Sequence, residues 1–173
     1  KHPEKADNLN LTIGAAVAAL YVALTYFSSV FALAYGPIQF RLSEALTLLP
    51  FYFPAAIPGL VVGCFLANLG SPYGLVDLIF GSLASLLAAL ATGALGRLKD
   101  RWPAALFLAP LPVIFINAFI IGAEITFFLP QAASLKGFFI SASQVALGQA
   151  VVVFSLGLPL TLALSRTRFF SQI

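Results

Sequence analysis

The sequence predicts an all-α integral membrane protein, a six-transmembrane-helix bundle with cytoplasmic termini. Three observations carry this. Of 173 residues, 61% are hydrophobic and 9% charged, where a soluble globular domain carries about 25% charged residues. The apolar residues fall into six runs separated by Pro, Gly and charged positions, and the cations gather at alternate ends of those runs. A mean hydropathy of +1.01 excludes an ordinary soluble domain. A helical span takes roughly 20 apolar residues, so the chain holds at most about six or seven and leaves no room for a separate catalytic domain. Residues 1–173 therefore read as one transmembrane domain, with 1–10 a cytoplasmic N-terminal segment and 166–173 a cytoplasmic tail.

The first run, Leu11 to Ala34, is longer than the apolar core of a cleavable signal peptide and reads as a retained helix. Within it Ala15, Ala19 and Ala23 recur every fourth residue. Such a stripe lets another helix approach closely in lipid, either inside the bundle or from an external partner. The second run spans Leu42 to Phe53, and the third Ile57 to Leu69, punctuated by Pro54 and Pro58. Both are short for straight spans and are expected to borrow loop residues such as Ala55 and Ala56 or to form a bent pair. The fourth, Leu75 to Leu95, carries the small residues Gly81, Ser82, Ala84, Ser85, Ala88 and Ala89, which suit internal packing. The fifth runs from Ala104 to Leu129 and the last from Gly137 to Leu164.

Orientation follows from Lys and Arg near the span ends. Threading six spans puts Lys1, Lys5, Arg97, Lys99, Arg101, Arg166 and Arg168 on one side, seven of the nine cations, and leaves Arg41 and Lys136 on the other. The first side is expected to be cytoplasmic. With no cations clustered on one face, nucleic acid is not an expected partner. One cysteine, Cys64, and one histidine, His2, offer neither a disulfide framework nor a transition-metal site. No Walker-type phosphate loop is present, so any ATP used in transport is hydrolysed by other chains.

Ionisable residues inside apolar runs mark a site by default. Glu44, Asp77 and Glu124 lie in or beside such runs and map to the same, extracellular half. Arg41 precedes Glu44 by three residues, which on a helix puts both on one face, where they either neutralise each other or serve a ligand. Tyr35, Gln39, Asn68, Asn117 and Gln144 fall in the same layer, with Gln149 and Tyr73 nearby. Together they read as the lining of a pocket for a polar small molecule.

The run from Tyr35 to Leu46 (YGPIQFRLSEAL), then Leu49-Pro50, Pro54 to Leu60 (PAAIPGL), Gly63-Cys64, Ala67-Asn68 and Asp77 to Ala84 (DLIFGSLA) resembles the QueT family. The likeness covers roughly residues 11 to 165. It implies a substrate-binding subunit (S-component) of an energy-coupling-factor (ECF) ABC transporter in a prokaryotic plasma membrane. It also implies partners: a transmembrane coupling subunit docked on Ala15, Ala19 and Ala23, and two ATPase subunits, with membrane lipid around the bundle and no covalently bound cofactor. The loops implied to bound the substrate are Tyr35 to Arg41, Gly70 to Gly74 and Pro130 to Lys136. The implied substrate is a queuosine precursor, although the sequence type also includes subunits assigned to cobalamin. A deazaguanine offers donors to the carboxylates, and an aminomethyl form adds a cation. Cobalamin favours Asn, Gln and Tyr. A membrane-embedded enzyme needs a second catalytic group that the sequence does not supply, and a stand-alone carrier needs a continuous polar path or internal repeats.

Overall fold

The computed structural model describes residues 3–35, 38–128 and 133–167. Lys1, Gly36, Pro37, Arg168 and residues 130–132 of the Pro130 to Lys136 loop lie outside them. Every described element is helical. Helix α1 (Pro3–Val30) buries Gly14, Val17, Tyr21, Thr25 and Ser28, a stripe stepping by three or four residues. It ends in a Schellman turn: Leu33 N–H reaches Ser28 O at 3.0 Å and Ala32 N–H reaches Ser29 O at 2.9 Å, with Ala32 at φ 57°.

Next comes a ten-residue 3-10 helix, Leu42–Phe51, in which every residue but the first is buried. It returns antiparallel to α1, pinned by Thr25 Oγ1 donating to Ser43 Oγ at 2.7 Å and by Leu42 N–H donating to Ser28 Oγ at 3.0 Å. Helix α2 (Ala56–Asn68) then runs alongside α1 in the same direction. Gly59 lies directly on the Gly14 carbonyl and Gly63 on Ala18 and Tyr21. A Cβ at either glycine would collide with its neighbour, which is how two helices come this close.

Helix α3 (Leu75–Gly96) follows Gly74, whose φ of 64° reverses the chain. A short 3-10 segment, Pro103–Leu108, leads into α4 (Pro110–Phe127). Helix α5 (Leu135–Val152) passes through a π-helical turn, Val153–Gly157, into α6 (Leu158–Ser165). Pro159 explains the wide turn: it has no N–H for the carbonyl four residues back, and its ring needs that space. Gly157 of this turn packs on Ala45 of the buried 3-10 helix.

The six-span expectation does not hold. Among the described residues four helical stretches are long and apolar enough to cross a membrane: Asp7–Val30, Leu75–Gly96, Pro103–Phe127 and Leu135–Ser165. The second and third runs form helices of 10 and 13 residues. At 2.0 and 1.5 Å rise per residue each reaches only about 20 Å, against about 30 Å of hydrocarbon. Hydropathy misled because burial in protein and burial in lipid select the same side chains. Outward faces of the long helices carry large apolar groups such as Ile79, Phe115, Phe119 and Phe139, each more than 60% exposed.

Candidate functional site

Arg41 is the hub of a buried polar layer. It is the N-cap of the 3-10 helix with an extended backbone (φ −75°, ψ 108°), so its side chain leaves the helix instead of lying along it. Its Nε donates to Ala34 O at 2.8 Å, Nη1 to Asn68 Oδ1 at 3.2 Å, and Nη2 to Asp77 Oδ2 at 3.1 Å. The Tyr35 ring lies 4.8 Å from the guanidinium carbon. Burial opposes the charge, and the Asp77 carboxylate together with Tyr21, Cys64 and Glu44 outweighs it, holding Arg41 above its ordinary pKa.

Asn68 completes the frame, donating through Nδ2 to Asp77 O at 3.0 Å. Gly81, one turn after Asp77, leaves room for it, since a Cβ there would press on Asn68 Nδ2 and lie 2.9 Å from Asp77 Oδ1. Tyr35 donates to Ala67 O at 2.9 Å and Tyr73 to Tyr35 O at 2.6 Å, which ties the loop before Arg41 to the end of α2. Burial pushes both phenols above their ordinary pKa, so they act as neutral donors.

Arg41 and Glu44 do not neutralise each other, one of the two alternatives their spacing left open; each has its own partner. Arg41 pairs with Asp77, and Glu44 Oε1 accepts from Tyr21 Oη at 2.5 Å. The other Glu44 oxygen, Oε2, is buried without a hydrogen-bond partner. Glu124, 1% exposed on α4, has both carboxylate oxygens buried and unpartnered, with Asp77 and Arg41 in electrostatic range.

Tyr35, Arg41, Asn68 and Asp77 are thus joined in one network, with Glu124 beside it and Glu44 on its α1 side. Gln39 is buried, with its backbone resting on Gly148 of α5. Asn117 donates to Val113 O of its own helix at 2.9 Å, and it sits seven residues, about 10 Å, before Glu124 on α4. Gln144 is half-buried on α5. Tyr21 was not legible as a site residue, because 23 positions separate it from Glu44 and only the antiparallel return of the 3-10 helix brings them together. Ala15, Ala19 and Ala23 are exposed, while the same helix uses Gly14, Ala18 and Tyr21 to pack on α2.

A groove of about 820 Å³ lies elsewhere, between the Asn10 to Ala18 stretch of α1, the Tyr52 to Gly59 stretch and Lys99. None of the network residues lines it. Among the described residues no group of acids, Cys and His forms a metal-binding cluster.

The family model described as "QueT transporter" matches residues 11–166. The chain belongs to the QueT transporter family. It is therefore a membrane transport protein, and the enzyme alternative falls away. A "Queuosine precursor transporter QueT" from Lactococcus lactis subsp. cremoris (strain MG1363) is 39% identical over 84 residues, which is 49% of this chain and 49% of the relative. That match spans about half the length of the curated relative. No solved structure matches the chain.

Proposed function

We propose that this QueT-family chain is the substrate-binding subunit of an energy-coupling-factor transporter that takes up a queuosine precursor of the deazaguanine type. The observation that carries the reading is the set of buried carboxylate oxygens without partners, both on Glu124 and one on Glu44, beside an Arg41–Asp77 pair that neutralises itself. A deazaguanine presents adjacent ring N–H and amino donors, which a carboxylate accepts bidentately. The printed name of the Lactococcus relative supports the same substrate class.

In this reading Arg41, Asn68 and Asp77 hold the layer in shape, Tyr35 and Gln39 border it, and the two glutamates meet the substrate. Asn117 and Gln144 lie deeper and to one side. Ala15, Ala19 and Ala23 form the exposed small-residue face on which a transmembrane coupling subunit docks. ATP is hydrolysed by two further subunits. Threading the four long helices keeps Lys1, Lys5, Arg97, Lys99, Arg101, Arg166 and Arg168 on the side of both termini, and we assign that side to the cytoplasm of a prokaryotic plasma membrane.

Isothermal titration of the purified protein with a deazaguanine and, separately, with cobalamin tests the substrate. Saturable binding of the deazaguanine without binding of cobalamin is expected. Binding of cobalamin alone overturns the reading.

A further inference from the structure

The ionisable groups of the polar layer do not balance. Among the described residues it holds one buried cation, Arg41, and three buried carboxylates, Glu44, Asp77 and Glu124. The nitrogens of Arg41 are engaged by Ala34, Asn68 and Asp77. Lys136, the other cation expected at this end, is exposed at the start of α5. Glu44 is held by Tyr21. Glu124 remains, with neither oxygen hydrogen-bonded and 1% of its surface exposed.

An unpaired buried carboxylate is strongly unfavourable, and a positive group placed against it removes the penalty. The surroundings favour a cation over a neutral donor. Asp77 adds negative potential, and the one nearby positive charge is already neutralised.

We propose that Glu124 is the counter-ion for a protonated amine on the transported molecule, so that this chain selects amine-bearing deazaguanines over uncharged ones. The proposal rests on the deazaguanine reading above and adds the charge state and the residue that reads it. Glu44, with one free oxygen and a phenol donor, is left to the neutral donor edge that both forms share.

The test compares 7-aminomethyl-7-deazaguanine, an ammonium at neutral pH, with the uncharged 7-cyano compound by isothermal titration of the purified protein. The amine is expected to bind roughly ten- to a hundredfold more tightly, the range of a lost charged hydrogen bond. Glu124→Gln should erase that preference by weakening the amine far more than the cyano compound. Glu124→Asp, which retains the charge, should keep the preference. Equal binding of the two compounds by the parent overturns this proposal and leaves the deazaguanine reading standing. A preference that survives Glu124→Gln also overturns it. If the parent binds neither compound, the reading beneath it fails as well.

Discussion

Replacing Asp77 by Asn leaves the guanidinium of Arg41 buried, 4% exposed, with its one charged partner gone. The shape is nearly unchanged, so the effect is electrostatic. Removing one member of a buried ion pair costs about 3–5 kcal/mol, because the remaining charge stays desolvated. For a chain of this length each kcal/mol moves the thermal midpoint by about 2–4 °C, which predicts a fall of roughly 6–20 °C. The protein contains its own reporter. Cys64 is the sequence's one cysteine, 1% exposed and 3.5 Å from the Asn68 amide of the same network. A thiol-reactive fluorogenic dye should therefore stay dark until this region opens. Pairing Asp77→Asn with Arg41→Gln removes both charges and should recover more than half of the loss, the signature of a direct coupling. A midpoint within ~2 °C of the parent for Asp77→Asn, less than about one kcal/mol, refutes the view that this pair holds the layer together.

Gly81→Ala should lower the same midpoint by the equivalent of about 1–3 kcal/mol, because its methyl presses on Asn68 and Asp77; an unchanged midpoint would mean that the Asn68 amide swings aside freely. Ala19→Trp should abolish uptake by the assembled transporter and leave substrate titration of the isolated subunit within about threefold, roughly 0.7 kcal/mol. Normal uptake would reject docking on that face. Cysteines introduced at Lys99 and at Arg166, in a Cys64→Ala background, should label from the cytoplasmic side only, and one at Lys136 from the opposite side only. Labelling of positions 99 and 136 from the same side would break the proposed orientation.

Much of this architecture was legible from residues alone, and the failures have physical causes. Glu44, Asp77 and Glu124 stood out because acids in apolar runs are rare, and all three are buried. The single helix face read for Arg41 and Glu44 does not form, because the three-residue rule requires both residues to be helical. Arg41 is extended and reaches 36 positions along the chain instead. The segment from 42 to 68 was read as two spans because its hydropathy matches that of lipid-facing helices. What distinguishes it is that Ser43 through Phe51 are enclosed by protein, a property of the neighbours and not of the segment. The alanine stripe could be narrowed only by seeing which small residues α2 uses, and those are Gly14 and Ala18.

The enclosed 3-10 helix has a consequence for biogenesis. A ten-residue segment about 20 Å long cannot partition into a bilayer as an independent unit, so the insertion machinery has no span to recognise between residues 42 and 51. It depends on its neighbours: α1 and α3 are each long and apolar enough to span on their own hydropathy, and the 3-10 helix packs against both. Against α1 it shares an apolar cluster, Val17 and Tyr21 with Leu46 and Leu49, and three polar contacts set its register: Thr25 to Ser43, Ser28 to the Leu42 amide, and Tyr21 to Glu44. Substitutions at these three rungs should therefore register both as a reduced yield of correctly assembled protein in the membrane and, because each leaves a buried polar group without its partner, as a lower unfolding temperature in the molecules that do assemble.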